Sequence, residues 1–395
     1  MNSAETHHVI FETEGFVFST LAIHFAKYVI LLSSYAWEGE KAVPREKPVR
    51  VGIVGCGTIA QLQHIPSLLR INEAEIVAIC DRDEALLSKV GAKLRKAKCY
   101  NDFSQMLSQE RLDLVDICTP PQTHAALSIQ AAESGRHILV EKPAALSAEE
   151  FDRVAETCAR NRVKLCQIQN KMFEPVVIGA MAQVAREDLG DVMGVNIQVL
   201  TRRAAILAQN PQHWSFDLPA GVFTEILPHT IYLAQTFLGV VEPVRVHVKH
   251  TALNHHGSFD TIEVILEGVN GLGAITCSGP SSKDKTIIDI HGTRKNVRID
   301  LFNSVQLEYG TGSSSRSSRA LENLLQVFSL FCCTVETTLS VLTRRFHSGH
   351  FTIMRSFVQS IRNNTDAPVS MEEAREVIRV LEGITRLAQN NEKVS

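Results

Sequence analysis

The sequence predicts an α/β protein in which a doubly wound parallel sheet is followed by a C-terminal α/β unit built on a large, open, mainly antiparallel sheet. Three observations carry this. Apolar, β-branched runs alternate with helical periodicity from residue 49 to residue 170. From there to residue 318, strand patterns follow one another with Gly, Asn and Asp turns between them. A chain of 395 residues also exceeds what one hydrophobic core ordinarily serves, so two domains are expected.

Residues 1–48 stand outside the pattern and are expected to be poorly ordered or to lie on the surface. Within them the stretch 16–37 is apolar enough to resemble a membrane segment, but His24 and Lys27 interrupt it. No small-residue cleavage site and no twin arginine accompany it, so neither a secretory signal nor a membrane anchor is favoured.

Residues 49–170 supply the parallel sheet, with apolar runs at 49–55, 75–81, 112–119, 137–141 and 163–169. Helical crossovers are expected over 59–70, 84–94, 124–134 and 148–160. Ser147 followed by Glu150 forms a capping box for the last of these. Residues 171–318 then give a helix near 174–186 and strands at 193–203, 244–251, 261–266, 273–278, 286–291, 297–301 and 305–309. An open sheet needs a cover on its apolar face, either a helix or another subunit. A homodimer or homotetramer is therefore expected.

Residues 310–318 form a serine-rich break, and residues 319–395 read as helices packing back on both domains. The first, 320–343, carries only Glu322 and Glu336 as charges and reads as a core or interface helix in preference to a membrane-surface one. Two more are expected over 351–362 and 371–389.

Composition excludes some functions. A formal net charge of −3 provides no basic surface for nucleic acid. Nine cysteines include Cys56, Cys80, Cys118 and Cys166 in or beside apolar strands, with no CxxC pair, which points to buried thiols in a reducing, cytoplasmic compartment. His250, His255 and His256 have no carboxylate or cysteine at ligand spacing, so no metal is assigned.

The densest chemistry lies in Gly55-Cys56-Gly57-Thr58-Ile59-Ala60, set between a strand and a helix, with Asp81 ending the next strand. Gly55 permits the tight turn, Gly57 lets the main chain approach a pyrophosphate, and Ala60 keeps the helix close to the sheet. The first helical N–H groups, around Thr58 and Ile59, then face the phosphates. This is the Rossmann arrangement, and it implies a bound dinucleotide. The Asp81 carboxylate suits ribose hydroxyls and repels a 2′-phosphate, so NAD is favoured over NADP. Arg82 could stack on adenine, pair with a 2′-phosphate or remain a solvated charge.

Two further strand ends belong to the same cleft, because ligands of doubly wound sheets sit beyond the carboxyl ends of the strands. One carries Thr119, Pro120 and His124, where His124 either caps the next helix or touches the cofactor. The other is Glu141-Lys142-Pro143. A glutamate and a lysine ending an apolar strand are costly to desolvate and should face a polar cleft, Glu141 toward the nicotinamide ribose and Lys142 toward a substrate hydroxyl.

With these motifs in place, the sequence resembles the Gfo/Idh/MocA oxidoreductases, the family of glucose-fructose oxidoreductase and inositol dehydrogenase. The resemblance spans residues 50–381 and includes Asn170-Lys171-Met172-Phe173, where the family usually has an arginine beside the phenylalanine. It extends to residues 214–229, in which Trp214, a Pro219-Ala220-Gly221 turn and His229 match the family pattern. Glu225 stands where an aspartate is expected, four residues before the histidine and so on one helical face with it. Tyr232 stands where a second aspartate often follows.

The resemblance implies hydride transfer between NAD and a carbinol carbon of a sugar, cyclitol or sugar derivative. His229 would be general base and Lys142 would stabilise the alkoxide, with Glu225 as the third catalytic residue. Substrate contacts would come from Lys142, Lys171, Arg202, Trp214 and His229, together with Arg203, Gln212 and His213. Two alternatives stand beside this: a glycosidase of the same family that retains its NAD, and a dinucleotide-binding regulatory protein without turnover.

Overall fold

A computed structural model describes residues 47–202, 210, 212–249, 260–279, 281–310, 315–343 and 348–392. The apolar stretch 16–37, Arg203, and His250, His255 and His256 lie outside the described residues.

Six strands make the first sheet: β1 Val49–Val54, β2 Ala74–Cys80, β3 Lys98–Tyr100, β4 Leu114–Ile117, β5 His137–Val140 and β6 Leu165–Gln167. Their order is β3-β2-β1-β4-β5-β6, and every pair is parallel. The chain reverses direction across the sheet between β1 and β4, which opens a crevice at their carboxyl ends. Crossovers are a π-helical turn Ala60–His64 running into α1 Ile65–Leu68, then α2 Glu84–Gly91, α3 Phe103–Gln109, α4 His124–Glu133 and α5 Ala148–Asn161. The Glu150 N–H donates to Ser147 Oγ at 3.1 Å and the Glu150 carboxylate accepts from the Leu146 N–H at 3.1 Å, so the capping box closes at the start of α5.

β3 and α3 have no counterpart among the sequence-derived elements. Lys98–Tyr100 buries only Tyr100, and three residues are too few to establish a period.

The second sheet has seven strands: β7 Val192–Leu200, β8 Val241–Lys249, β9 Thr261–Gly268, β10 Leu272–Ser278, β11 Lys285–Gly292, β12 Asn296–Asp300 and β13 Val305–Tyr309. It runs β13-β12-β11-β7-β10-β9-β8, antiparallel throughout except for the parallel β7–β10 pair. After α6 Pro175–Ala185, alternation along β9 buries Ile262, Val264 and Leu266 against α7 Phe223–Leu238 and α10 Met371–Glu392. The other face shows Ile265 and Leu272 to solvent.

The long apolar segment forms α8 Arg316–Leu342, which lies along β13 and is not a core helix. Leu324, Val327, Phe331, Leu339 and Leu342 are each more than half exposed. By length and composition alone this helix is long and apolar enough to cross a membrane, and unlike a core helix only 6% of its most apolar stretch is buried.

The last two helices close the first sheet. Phe351, Met354 and Phe357 of α9 Gly349–Asn363 join the core formed by Val51, Ile53 and Ile79. α10 places Ala374 and Ile378 against the opposite face, while its Val377, Leu381 and Ile384 enter the core of the second sheet. Arg375 pairs with Asp152 at 2.6 Å and Glu382 accepts the Ala148 N–H at 3.1 Å, so α10 is tied to α5 as well.

Candidate active site

The three motifs meet at the carboxyl edge of the first sheet. Gly55 has a φ of +91°, and a Cβ there would fall 2.8 Å from both the Cys118 carbonyl carbon and the Thr119 nitrogen, so the turn after β1 is folded onto the turn after β4. Gly57 is different: a Cβ on it would meet nothing within 4 Å. That open space above a helix start is what a pyrophosphate needs, and the residues present fit a dinucleotide. Thr58 is exposed and Ile59 half-buried at the same helix start.

Asp81 is locked in place beside this loop. Its carboxylate accepts the Cys56 N–H at 2.6 Å and the Asp83 N–H at 2.9 Å, while Arg82 is exposed. The negative charge therefore sits rigidly where an adenosine ribose would be read.

Beneath the cleft lies a buried charge cluster. His64, delivered by the π turn, has Nδ1 2.9 Å from Asp116 Oδ1 in β4 and Nε2 2.9 Å from Glu141 Oε1 just past β5. His350 of α9 approaches Glu141 Oε1 at 3.7 Å, and the Lys142 N–H donates to Glu141 Oε2 at 3.1 Å. Burial opposes charge on His64, but Asp116 and Cys118 outweigh it and hold the imidazole well above its ordinary value. Burial likewise opposes charge on Glu141, yet hydrogen bonds from His350 and His64 keep it well below the usual carboxylate range. An imidazolium gripped by two carboxylates is the consistent state, and Glu141 is thereby fixed against the strand end.

Lys142 follows β5 of the first sheet, whereas His229 lies in α7, the helix packed on the second. Lys142 Nζ donates to the main-chain carbonyl of Glu225 at 2.9 Å, which is one turn before His229 in α7. Burial, then the charges of Lys142 and Lys171, push His229 well below its ordinary value. The ring is neutral and half-buried at the cleft. Its Nδ1 lies 2.7 Å from the hydroxyl of Tyr232, and the Glu225 side chain is largely buried alongside.

The remaining sequence-derived site residues divide. Lys171, in the 3₁₀ turn Asn170–Phe173, gives its main-chain N–H to Tyr232 at 3.0 Å. Trp214 opens a 3₁₀ turn, Trp214–Asp217, and its carbonyl accepts from Gln122 Nε2 at 3.3 Å, joining the two sides of the cleft just past Pro120. His213 packs against Trp214 with ring centroids 5.0 Å apart. Arg202 is exposed and engaged with Asp284 at 3.2 Å. His124 is fully buried, with one ring nitrogen 2.7 Å from the Thr119 carbonyl and the other 2.7 Å from the Pro143 carbonyl, so it clamps two strand-end turns together.

His64 and His350 were not among the residues read from sequence. One signal was available: Asp116 interrupts the apolar run Leu114–Ile117, and a carboxylate in a buried strand requires a cationic or hydrogen-bonding partner. Nothing local identifies that partner as His64, which is 52 residues away.

Comparison with known proteins matches both domains of this fold. The family model described as GFO_IDH_MocA, oxidoreductase family, NAD-binding Rossmann fold, matches residues 49–169, and its C-terminal alpha/beta domain matches residues 182–395. The chain is 26% identical to inositol 2-dehydrogenase of Rhizobium meliloti, covering 67% of this chain and 79% of that protein. It is also 26% identical to D-glucoside 3-dehydrogenase of Escherichia coli, over 41% of this chain and 46% of that one. Among solved structures, the WlbA dehydrogenase of Bordetella pertussis in complex with NADH and UDP-GlcNAcA superposes with a TM-score of 0.73 at 22% identity, covering 88% of this chain and 97% of the other.

Proposed function

Because this chain belongs to the Gfo/Idh/MocA family of NAD-binding oxidoreductases, we propose that it catalyses hydride transfer between NAD and a carbinol carbon of a sugar, cyclitol or sugar derivative. The observation that carries the reading is the convergence of Lys142, at the end of a first-sheet strand, with His229 of α7, tied by the Lys142–Glu225 hydrogen bond of 2.9 Å. The names of the relatives, inositol 2-dehydrogenase and D-glucoside 3-dehydrogenase, support the substrate class.

NAD, when bound, supplies the hydride acceptor. The Gly57 main chain and the helix start behind it receive the pyrophosphate, and Asp81 accepts the adenosine ribose hydroxyls. Lys142 keeps one ammonium proton on the Glu225 carbonyl and directs the others at the substrate oxygen, where they stabilise a developing alkoxide. His229 takes the hydroxyl proton and returns it in the reverse reaction. Glu141, braced by His64, positions Lys142 through the chain they share.

The outer face of the second sheet is proposed to pair subunits, which its exposed Ile265 and Leu272 support. A cytoplasmic location is likewise proposed, in keeping with cysteines such as Cys56, Cys118 and Cys166 that are buried as thiols.

The test is to follow NADH absorbance with sugars, nucleotide sugars and cyclitols, using the wild type, Lys142→Ala and His229→Ala. At least one carbinol should yield NADH, and both variants should lose the rate while still binding NADH. Aglycone release without net NADH would instead establish the glycosidase alternative. Unchanged rates in both variants would remove Lys142 and His229 from the chemistry.

A further inference from the structure

Tyr232 is almost wholly buried, and its ring meets that of His229 edge-on with centroids 5.7 Å apart. Its hydroxyl is surrounded by three groups: the Lys171 N–H at 3.0 Å, His229 Nδ1 at 2.7 Å and Asn170 Oδ1 at 3.5 Å. A phenol has one proton to give and two lone pairs to receive with. The Lys171 N–H can only donate, so it fills one lone pair.

Two arrangements of the remaining protons satisfy these neighbours. In the first, Tyr232 donates to Nδ1, which places the ring proton of a neutral His229 on Nε2. In the second, Nδ1–H donates to Tyr232 and the phenolic proton turns toward Asn170 Oδ1. Only the second leaves a lone pair on Nε2, the nitrogen that makes no hydrogen bond among the described residues. The protonated ring also needs the second, since both its nitrogens then carry hydrogen. A histidine starting in the first arrangement would have to exchange its tautomer before it could take a proton.

We propose that Tyr232, backed by Asn170 and the Lys171 N–H, is the positioning residue that holds His229 in the Nδ1–H tautomer with Nε2 available in the cleft. The task is the one a carboxylate performs for many catalytic histidines. A phenol performs it without charge. Burial raises the Tyr232 hydroxyl well above its ordinary value, so the partner stays neutral. It fixes the direction of the ring and gives the imidazolium no compensating anion. The other titratable groups acting on His229 are Lys142, Lys171 and His350, which disfavour the cation, and Glu141, which favours it.

This inference rests on His229 being the proton-transferring group, and the test separates the two. In protein labelled with ¹⁵N-histidine, two-bond proton–nitrogen correlation spectra distinguish a protonated from an unprotonated ring nitrogen, and His229→Asn identifies the His229 signals. The wild type should show a protonated Nδ1 and an unprotonated Nε2. In Tyr232→Phe the proton should move to Nε2, and hydride transfer should fall at least tenfold in kcat with KM and NADH affinity little changed. A wild-type Nε2–H tautomer, or an Nδ1–H tautomer retained in Tyr232→Phe, overturns the inference; the wild-type spectrum decides even where the variant does not fold. Hydride transfer left intact by His229→Ala would sink the catalytic reading instead, with the tautomer measurement unaffected.

Discussion

His64 and Glu141 meet at 2.9 Å, with the imidazole fully buried and held on its other side by Asp116. Removing the histidine strands two buried carboxylates. His64→Ala is expected to cost about 3–5 kcal/mol in a urea unfolding titration, the scale for breaking a buried ion pair. The pH dependence follows from the shifts. His64 is raised, so its contribution is complete below its ordinary 6.5 and fades as pH climbs toward its folded value. Glu141 is lowered, so its contribution is complete above 4.5 and fades in acid. Both are complete only between those values, and the alkaline decline should disappear in the variant. A loss under 1 kcal/mol would show that the cluster is not charged.

His229 is depressed by burial, Lys142 and Lys171. As a base it works in its neutral form, so oxidation should stay on its plateau as pH falls through about 6.5, the ordinary histidine value, and decline only below that. Lys171→Met removes one of the opposing charges, raises the histidine pKa and moves the acid limb of kcat to higher pH. A limb that stays put or moves down contradicts the assignment of His229 as the base.

Gly55 and Gly57 should separate stability from binding. Alanine at Gly55 combines a φ of +91° with contacts of 2.8 Å to backbone atoms, and strain of this kind costs on the order of 1–3 kcal/mol, read as a lowered melting temperature. Alanine at Gly57 meets open space, so the melt should be unchanged. NADH affinity should instead fall about tenfold or more, equivalent to roughly 1.4 kcal/mol. Equal effects of the two on the melt would refute the contrast.

Asp81 excludes a 2′-phosphate through a carboxylate pinned by the Cys56 and Asp83 N–H groups at 2.6 and 2.9 Å. Asp81→Ala should shift the ratio of NADPH to NADH dissociation constants toward NADPH by at least tenfold in fluorescence titrations. An unchanged ratio would locate the discrimination elsewhere.

What the sequence made legible was periodic or local. β9 alternates cleanly and its pattern was readable to within two residues, as was the Gly55–Gly57 turn. Lys98–Tyr100 has no period and was invisible. The parallel pairing of β7 with β10 inside an otherwise antiparallel sheet leaves no trace in either strand, because both bury alternate residues regardless of direction. In the site, Lys142 and His229 stood out through motif context. The His64–Glu141 contact joins residues 77 apart, and only packing could reveal it. Tyr232 was visible as a departure from a family pattern, while its bond to His229 depended on where α7 places the hydroxyl.

Phe351, Met354 and Phe357 complete the core beneath β1 and β2, and Ile378 closes the opposite face, though all four lie far downstream of the last strand of that sheet. A ribosome making about 5–20 residues per second reaches Ile378 roughly 10–40 s after Gln167. Through that interval each apolar face of the emerging cofactor domain carries its own crossover helices but lacks the cover that α9 and α10 add. The sheet that carries the nucleotide-binding turn thus reaches its full core only after the whole second sheet has been synthesised.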